Sequence, residues 1–336
     1  MNNLKKVALT ALGASLAATS GNAVDVSVSG GSEIGYATGT SNRSVNKASS
    51  FGVGTGVSFS ASGELDNGWT VSTTHATSGA FALTSSNISV DTGSMGKVRF
   101  NRVAAASVNA NDDILPTAWE EANDNADTSI RGTRLADGLT SGSISIILPT
   151  FEFGGGSIDV SVDYDPAVNA AGGGNPGVTA TRTTGMGSGL AVGAKVGFGP
   201  VTLYGGYAEE ESTVATDGND GKNVMVQAVA SLGSVSIGAG EWYANEENGG
   251  NDYSTTGMSV AFNVNDDLSM SYGELEDTRE NHGATAAVAT EVKSIQVAYS
   301  MGSMAVKAKR VETDNPYNQT VTNSTEHTEI SVSFSF

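Results

Sequence analysis

Cysteine is absent from this chain of 336 residues, and basic residues are scarce. Without cysteine no disulfide can stabilise the fold, so stability must come from a closed hydrogen-bond network or a large core. The 17 Lys and Arg residues stand against 36 Asp and Glu residues, which gives a formal net charge of −19. Such acidity argues against binding to nucleic acid, whose phosphates need a basic surface. Apolar residues make up 38% and aromatic residues 7% of the chain, which is lean for the core of a soluble protein of this length.

Long apolar runs are also missing, except near the N-terminus. No segment reaches the roughly 20 apolar residues that a membrane-spanning helix needs. At the N-terminus, two adjacent lysines precede an apolar stretch over residues 7–18, and Gly21-Asn22-Ala23 supplies small residues at the two cleavage-site positions. This pattern predicts a secretory signal peptide over residues 1–23. Residues 24–336 would then form the mature chain, and no linker suggests a second domain in it.

What the chain has instead is an alternation of side chains with a period of two residues. In one segment, Ile158, Val160 and Val162 alternate with Asp159 and Ser161. Successive side chains of a β-strand point to opposite faces, so this pattern gives one apolar and one polar face. Repeated over many segments of about ten residues, it is the sequence signature of a transmembrane β-barrel. Sixteen strands are predicted, at residues 24–38, 51–62, 68–78, 83–91, 94–102, 141–150, 156–165, 187–198, 200–210, 222–232, 234–245, 253–264, 267–276, 291–301, 303–313 and 328–336.

The connections between these strands alternate between short and long. The short ones are turns such as those at Gly199, Gly233 and Gly302, and the long ones include residues 103–140 and 166–186. Tight turns at one end and long loops at the other are typical of outer-membrane barrels. An even number of strands brings both chain ends to one side, where the first and last strands can pair and leave no edge. Sixteen strands enclose an aqueous channel.

The last nine residues show the alternation most clearly. Ile330, Val332, Phe334 and Phe336 share one face, and the positions between them are serines. This segment resembles the closing strand of bacterial outer-membrane β-barrels. In that class the terminal segment is also read by the barrel-assembly machinery, so the resemblance implies that Phe336 is part of an assembly signal. An amphipathic strand of a soluble sheet is the alternative for this segment taken alone.

The connection over residues 103–140 is far longer than the others, and so long a loop in a compact domain is usually functional or disordered. The strand Ser94-Met95-Gly96-Lys97-Val98-Arg99-Phe100-Asn101-Arg102 before it resembles the strand that leads into the third loop of Gram-negative general porins of the alphaproteobacterial type. Within the connection, Pro116-Thr117-Ala118-Trp119-Glu120-Glu121 resembles the short helical turn of that loop. The resemblance covers the whole mature chain in architecture. Its local motifs are loose.

This resemblance implies an all-β fold, a sixteen-stranded antiparallel transmembrane β-barrel with a long, inward-folded third loop. It also implies a location in the cell outer membrane, contact with outer-membrane lipid, assembly into a homotrimer and passive diffusion of small hydrophilic solutes and ions through a water-filled channel. The alternation is weak in the strand at 83–91 and at residues 69–74, which is consistent with a protein-facing patch near the short second external loop.

Charged residues around the predicted pore fall into two groups. The loop is acidic, and we expect these residues at the constriction: Asp112, Asp113, Glu120, Glu121, Asp124 and Asp127. Strand alternation and position in the sequence predict these basic residues on the pore wall: Lys97, Arg99, Arg102, Lys195, Lys307 and Lys309. Acids facing cations would create a transverse field across a narrow pore. Because the family often carries a dense arginine ladder and this chain does not, mild cation selectivity is predicted.

Enzyme and metal sites find little support in the sequence. None of His75, His282 and His327 lies in a nucleophile motif, so no enzymatic activity is predicted. Asp217-Gly218-Asn219-Asp220-Gly221 lacks the twelve-residue frame and closing Glu of an EF-hand, so no cofactor is predicted beyond Ca²⁺ held loosely by loop carboxylates. A substrate-specific outer-membrane channel remains the main alternative. A secreted β-rich adhesin or surface-layer protein is a weaker one, which heat-modifiable migration on a denaturing gel would distinguish from a barrel.

Overall fold

A computed structural model describes residues 24–40, 47–103, 106–124, 130, 135–136, 139, 142–168, 186–212, 220–245, 252–280, 289–318 and 324–336. The predicted signal peptide, residues 1–23, lies outside this range. Among the described residues there is no helix long and apolar enough to cross a membrane.

Seventeen strand segments form a single antiparallel sheet. They are β1 (Val24–Thr40), β2 (Lys47–Glu64), β3 (Thr70–Ser78), β4 (Leu83–Asp91), β5 (Lys97–Val103), β6 (Ile144–Ile147), β7 (Phe151–Phe153), β8 (Gly156–Asp165), β9 (Met186–Phe198), β10 (Val201–Ser212), β11 (Gly221–Leu232), β12 (Val235–Asn245), β13 (Asp252–Asn263), β14 (Leu268–Glu280), β15 (Ala289–Met301), β16 (Met304–Asp314) and β17 (Ser324–Ser335).

Segments β6 and β7 are two halves of one strand. Both pair with β8, and residues 148–150 interrupt them. Pro149 lies in this interruption and has no backbone N–H to give to the ladder. The seventeen segments therefore make sixteen strands, which confirms the predicted number. Of the predicted sixth strand, 141–150, the described residues 142–143 and 148–150 lie outside the two segments.

The barrel closes between its first and last strands. β1 pairs with β17 from Gly31–Ser335 to Gly39–His327, and it also pairs with β2 along its whole length. The terminal Phe336 completes the seam, because its backbone N–H and C=O exchange hydrogen bonds with Gly30 at 2.9 and 2.8 Å. No free sheet edge therefore remains where the chain ends meet. The closed sixteen-stranded barrel predicted from the sequence is confirmed.

Most strands present large apolar side chains outward and small or polar ones inward, although Met225 of β11 and Trp242 of β12 point inward. In β2, for example, Phe51 and Val53 are 81% and 76% exposed, and the residues on the opposite face are Gly52 and Gly54. The exposed apolar side chains form the surface expected to contact lipid. At the short end of the barrel, Gly233 and Gly302 adopt φ values of +67° and +61°, which L side chains rarely adopt, and so make tight turns possible.

The largest buried apolar cluster lies inside the barrel, between the wall and the long third loop. Val108, Leu135 and Leu139 of the loop pack with Met225 of β11 and Trp242 of β12, and all five are at most 2% exposed. Chain segments that would otherwise lie in water are thus attached to the inner surface by their own hydrophobic side chains.

Candidate functional site

The third loop begins its path inside the barrel at Asp163 of β8. This carboxylate is fully buried and accepts hydrogen bonds from the backbone N–H groups of Ser107 and Val108 at 2.9 and 3.0 Å. The Ser107 hydroxyl also donates to it at 3.0 Å. These donors open a short 3₁₀ helix, Ser107–Asn111, whose first N–H groups have no partner within the helix. Asp163 therefore fixes the point where the loop enters the lumen.

The next attachment joins the loop backbone to strands β11 and β12. Nε2 of Gln227 donates to the carbonyl oxygens of Asn111 and Asp112 at 2.7 and 2.9 Å. Nε1 of Trp242 donates to the Asp112 carbonyl at 3.3 Å. Gln227 and Asp112 are both nearly fully buried, so these bonds are shielded from competing water. Asp112, predicted as a pore acid, is thereby located against the wall.

The tip of the loop is attached to β14 and β15 through four hydrogen bonds. The Ala118 N–H donates to the hydroxyl oxygen of Ser271 at 2.8 Å. Oε1 of Gln296 accepts from the N–H groups of Trp119 and Glu120 at 2.9 and 3.0 Å, and its Nε2 donates to the Glu120 carbonyl at 2.7 Å. A single amide side chain on the wall thus satisfies three backbone groups of the tip and fixes its orientation.

Lys309 of β16 supplies the charged part of this attachment. Its side chain is fully buried, forms an ion pair with Glu120, and lies 3.6 Å from the carboxylate of Glu329 on β17. Its Nζ also lies 5.0 Å from the ring centroid of Trp119, and the Nζ of Lys307 lies 5.4 Å from the same ring. Lys309, predicted as a pore-wall cation, is on the inner face, where its charge is balanced by two carboxylates.

Inward-facing glycines provide room for the loop along these same strands. A Cβ atom added to Gly238 of β12 would lie 2.5 Å from Cδ of Pro116. One added to Gly257 of β13 would lie 3.1 Å from Leu115. The wall therefore needs residues without a side chain at the positions against which the loop packs. Glycines at the inward positions of these strands are visible in the sequence. The sequence alone does not show that the loop packs against them.

A water-accessible cavity of about 720 Å³ lies between the first part of the loop and the wall of β4, β5, β6, β8 and β9. Arg99, Lys195 and Asp159 line it from the wall, and Asp112 and Asp113 from the loop. Lys195 lies 3.8 Å from Asp159, and both side chains are less than half exposed. The structure therefore brings two of the predicted wall cations and two of the predicted loop acids around one space.

A second group of loop acids lies near the tip. The pKa of Glu121 is raised from 4.5 to about 7, mainly by burial and further by the charges of Asp113, Asp124 and Glu120. A hydrogen bond with Asp113 adds to this rise. Near neutral pH this carboxyl group is thus only partly ionised. The negative charge of the loop at neutral pH is therefore smaller than the charge it would carry if every acidic residue were fully ionised.

A comparison with protein families matches residues 8–283, more than half of the chain, to the model of the Gram-negative porin. The chain belongs to the Gram-negative porin family. As a porin of the outer membrane it is a channel and not an enzyme, as the sequence predicted. No curated protein sequence was found that matches this porin.

Solved structures of similar fold cover nearly the whole porin. An anion-selective porin from Comamonas acidovorans has a TM-score of 0.67 at 13% identity, over 94% of this chain and 100% of its own. The trimer form of OmpT, an outer membrane protein of Vibrio cholerae, has a TM-score of 0.63 at 14% identity, over 94% and 100%. The outer membrane channel DcaP of Acinetobacter baumannii has a TM-score of 0.67 at 11% identity, over 93% and 97%. At these identities the likeness concerns the fold.

Three further predicted site residues of the porin lie apart from the cavity and the tip. Lys97 pairs with Asp91 at 3.3 Å, close to the turn that joins β4 and β5. Arg102 is exposed. It lies at a register shift of the ladder, where the residues before and after it pair with β4 and Arg102 does not. Phe336 is 75% exposed on the outer face. Asp127 lies outside the described residues.

Metal binding by this porin stays a prediction. Within the part of the chain that the structure describes, no group of three or more His, Asp or Glu side chains is arranged to hold a metal ion. The Asp217–Gly221 segment lies largely outside that part, as does His282.

Proposed function

We propose that this porin is a passive diffusion channel for small hydrophilic solutes and ions, with mild cation selectivity. The observation that supports it best is the attachment of the loop to one side of the lumen. The hydrogen bonds and ion pairs described above join the loop to strands from β8 to β16. Solutes then pass between the loop and the rest of the wall, where the loop narrows the channel without filling it.

The selectivity is inferred from the charges that line this path, which include Arg99 and Lys195 on the wall and acidic residues on the loop. Glu120 is neutralised by Lys309, and Asp112 is buried against the wall. Lys195 is paired with Asp159. Asp113 is exposed, and Glu121 adds a partial charge that grows with pH. Charges beyond roughly 8–10 Å are screened at physiological salt, so the acidic excess of the outer loops contributes little. A modest preference for K⁺ over Cl⁻ is what this local balance supports.

Planar-bilayer recordings test this proposal. Purified, folded protein should give stable ohmic channels, and zero-current potentials under a KCl gradient should show a modest preference for K⁺ that increases at low ionic strength. Channels that conduct with a preference for Cl⁻ would contradict the proposed selectivity and would leave the proposed diffusion function standing. A folded barrel that forms no channels would contradict the diffusion function itself.

We further propose that the chain assembles as a homotrimer through the outer surface of β2 to β5. His75 of β3 is exposed on the face that also carries Phe59, and its Nδ1 lies 3.0 Å from the hydroxyl of Ser86. Polar groups on a lipid-facing surface are costly unless another protein covers them. Phe81, in the short loop above, is 82% exposed. The trimer form of the similar Vibrio protein is consistent with this assembly. Native mass measurement in mild detergent tests it, and a conducting monomer would rule it out.

A further inference from the structure

Glycines on the inner face of the barrel are of two kinds. Those on β12 and β13, such as Gly238 and Gly257, face loop atoms that a side chain would displace. On β2, Gly52 and Gly54 face open space, whereas a Cβ atom added to Gly56 would lie 3.3 Å from the carbonyl oxygen of Thr77. A Cβ atom added to Gly52 would meet no described atom within 4 Å, and one added to Gly54 would meet only the Cβ of Glu33, at 3.8 Å.

Neither backbone conformation nor packing explains Gly52 and Gly54. Gly52 and Gly54 are not among the glycines with positive φ, and both lie in an unbroken ladder, paired with Gly35 and Glu33 of β1. Any residue could adopt this extended conformation. Glycine in the interior of a strand is destabilising, by roughly 0.5–1 kcal/mol relative to alanine. What distinguishes these positions is therefore the space in front of them.

That space adjoins the attachment of the loop tip. Lys307, which lies beside Trp119 of the tip, is in register with Ser331 of β17. Ser331 is in register with Gly35 of β1, and Gly35 with Gly52. The same inward-facing row thus leads from the tip, across two strands, to the glycines of β2.

Two acids lie beside these glycines, and both have partners. The carboxylate of Glu33 accepts a hydrogen bond from the hydroxyl of Ser331. The carboxylate of Glu329, which lies 3.7 Å from a Cβ atom added to Gly35, is 3.6 Å from Lys309. The inward positions that follow along β2 are Gly56, Ser58 and Ser60. A wall of glycine and serine beside these partnered charges offers hydrogen-bonding groups and width.

We propose that Gly52 and Gly54 set the size limit of the channel, by forming a bare wall beside the loop tip along which bulky neutral hydrophilic solutes, such as oligosaccharides, pass. The proposal rests on the diffusion function proposed above. A side chain at either position would project into the path and exclude large solutes before small ones.

The absence of cysteine allows a test that does not disturb folding. Gly54→Cys protein is folded, inserted into a bilayer and then treated with neutral methanethiosulfonate reagents of increasing size. We expect conductance to fall stepwise with reagent size, to about half or less for the largest, because pore diameter controls permeation. In liposome-swelling assays, uptake of a trisaccharide should fall more than uptake of a monosaccharide. The matched control is Val226→Cys, whose side chain is 63% exposed on the outer face of β11, away from the proposed trimer interface, and its conductance should not change.

The outcomes separate the two proposals. If Gly54→Cys reacts, as shown by mass, and neither conductance nor the ratio of sugar uptakes changes, the bare wall is not part of the path. If Val226→Cys responds equally, the effect is not specific to the inner face, which also overturns the inference. If untreated wild-type protein does not conduct, the diffusion function fails instead.

Discussion

Two parts of the barrel wall show the same outward surface and opposite inner surfaces. Along β8 to β16 the inner face carries buried Asp163, Gln227, Gln296 and Lys309, each bonded to the loop. Along β1 and β2 the inner face consists mainly of glycine, serine and alanine. Lipid constrains only the outward positions of a strand, so the inward positions are free to differ. The difference between the two parts of the wall is therefore determined by the inward positions, which are every second residue of each strand.

The largest expected effect concerns the seam that closes the bare part of the wall. The aromatic ring of Phe336 lies over Gly30, where an added Cβ would be 2.9 Å from it, and the terminal backbone pairs with the same residue. Phe336→Ser should lower the amount of heat-modifiable barrel in the outer membrane severely. Phe198→Ser is the control, because Phe198 of β9 is an outward aromatic, 60% exposed, away from both the seam and the proposed trimer interface. Wild-type levels of the Phe336 variant would contradict both the seam and the assembly signal.

The loop-bearing wall should fail when its buried cation is removed. Lys309→Met leaves Glu120 and Glu329 facing each other beside a buried methionine. Breaking a buried ion pair by removing one partner typically costs about 3–5 kcal/mol, because an uncompensated charge remains. The tip should detach, so single-channel conductance should rise and become noisier.

The matched control for this variant is Lys222→Met. Lys222 pairs with Glu209 at 3.4 Å, but both side chains are partly exposed, and such pairs contribute about 0–1 kcal/mol. The double variant Lys309→Met with Glu120→Gln should recover part of the wild-type behaviour, since one unpaired charge is removed. Wild-type conductance and noise in Lys309→Met alone would show that Gln296 and Ser271 hold the tip without it.

Sequence reasoning was successful where a rule acts between neighbours in the chain. Alternation gave sixteen strands and the closed fold, because the two faces of each strand meet different solvents. It also gave the inward direction of Lys309 and Lys195. The interruption of the sixth strand was missed, although Pro149 was a local signal for it.

The attachment of the loop could not be predicted in the same way. Alternation fixes the face on which Lys309 lies, but its partner Glu120 is 189 residues away in sequence. In the sequence, Gln227 and Gln296 look like ordinary polar residues of a water-filled lumen. Their role depends on hydrogen bonds to loop backbone groups that are distant from them in sequence and close only in the folded protein. A count of acidic residues likewise overstated the charge of the loop, because burial and pairing change the charge that each residue carries.

A smaller effect is expected from filling the two kinds of glycine. Gly238→Ala places a methyl group 2.5 Å from Pro116, and overpacking of this kind costs about 1–3 kcal/mol. The temperature at which the folded band is lost on a denaturing gel should fall. Gly52→Ala should leave that temperature unchanged or raise it slightly, since alanine restricts the unfolded chain more than glycine does. Equal effects of the two substitutions would remove the distinction between the two walls.

The smallest effect is a change of selectivity with pH, caused by Glu121. Its pKa of about 7 lies above the ordinary value of 4.5, so the folded protein holds this proton more tightly than the unfolded chain does. The resulting stabilisation is complete below about pH 4.5 and is lost as the pH rises through 7. Over the same range the loop gains a negative charge beside Asp113. The preference for K⁺ should therefore increase between pH 6 and pH 8, most visibly at low ionic strength, where screening is weakest. Zero-current potentials measured at both pH values test this, and Glu121→Gln should keep the value found at low pH throughout. A step that persists in Glu121→Gln would assign the titration to another group, and the absence of a step in the wild type would place Glu121 outside the conducting path.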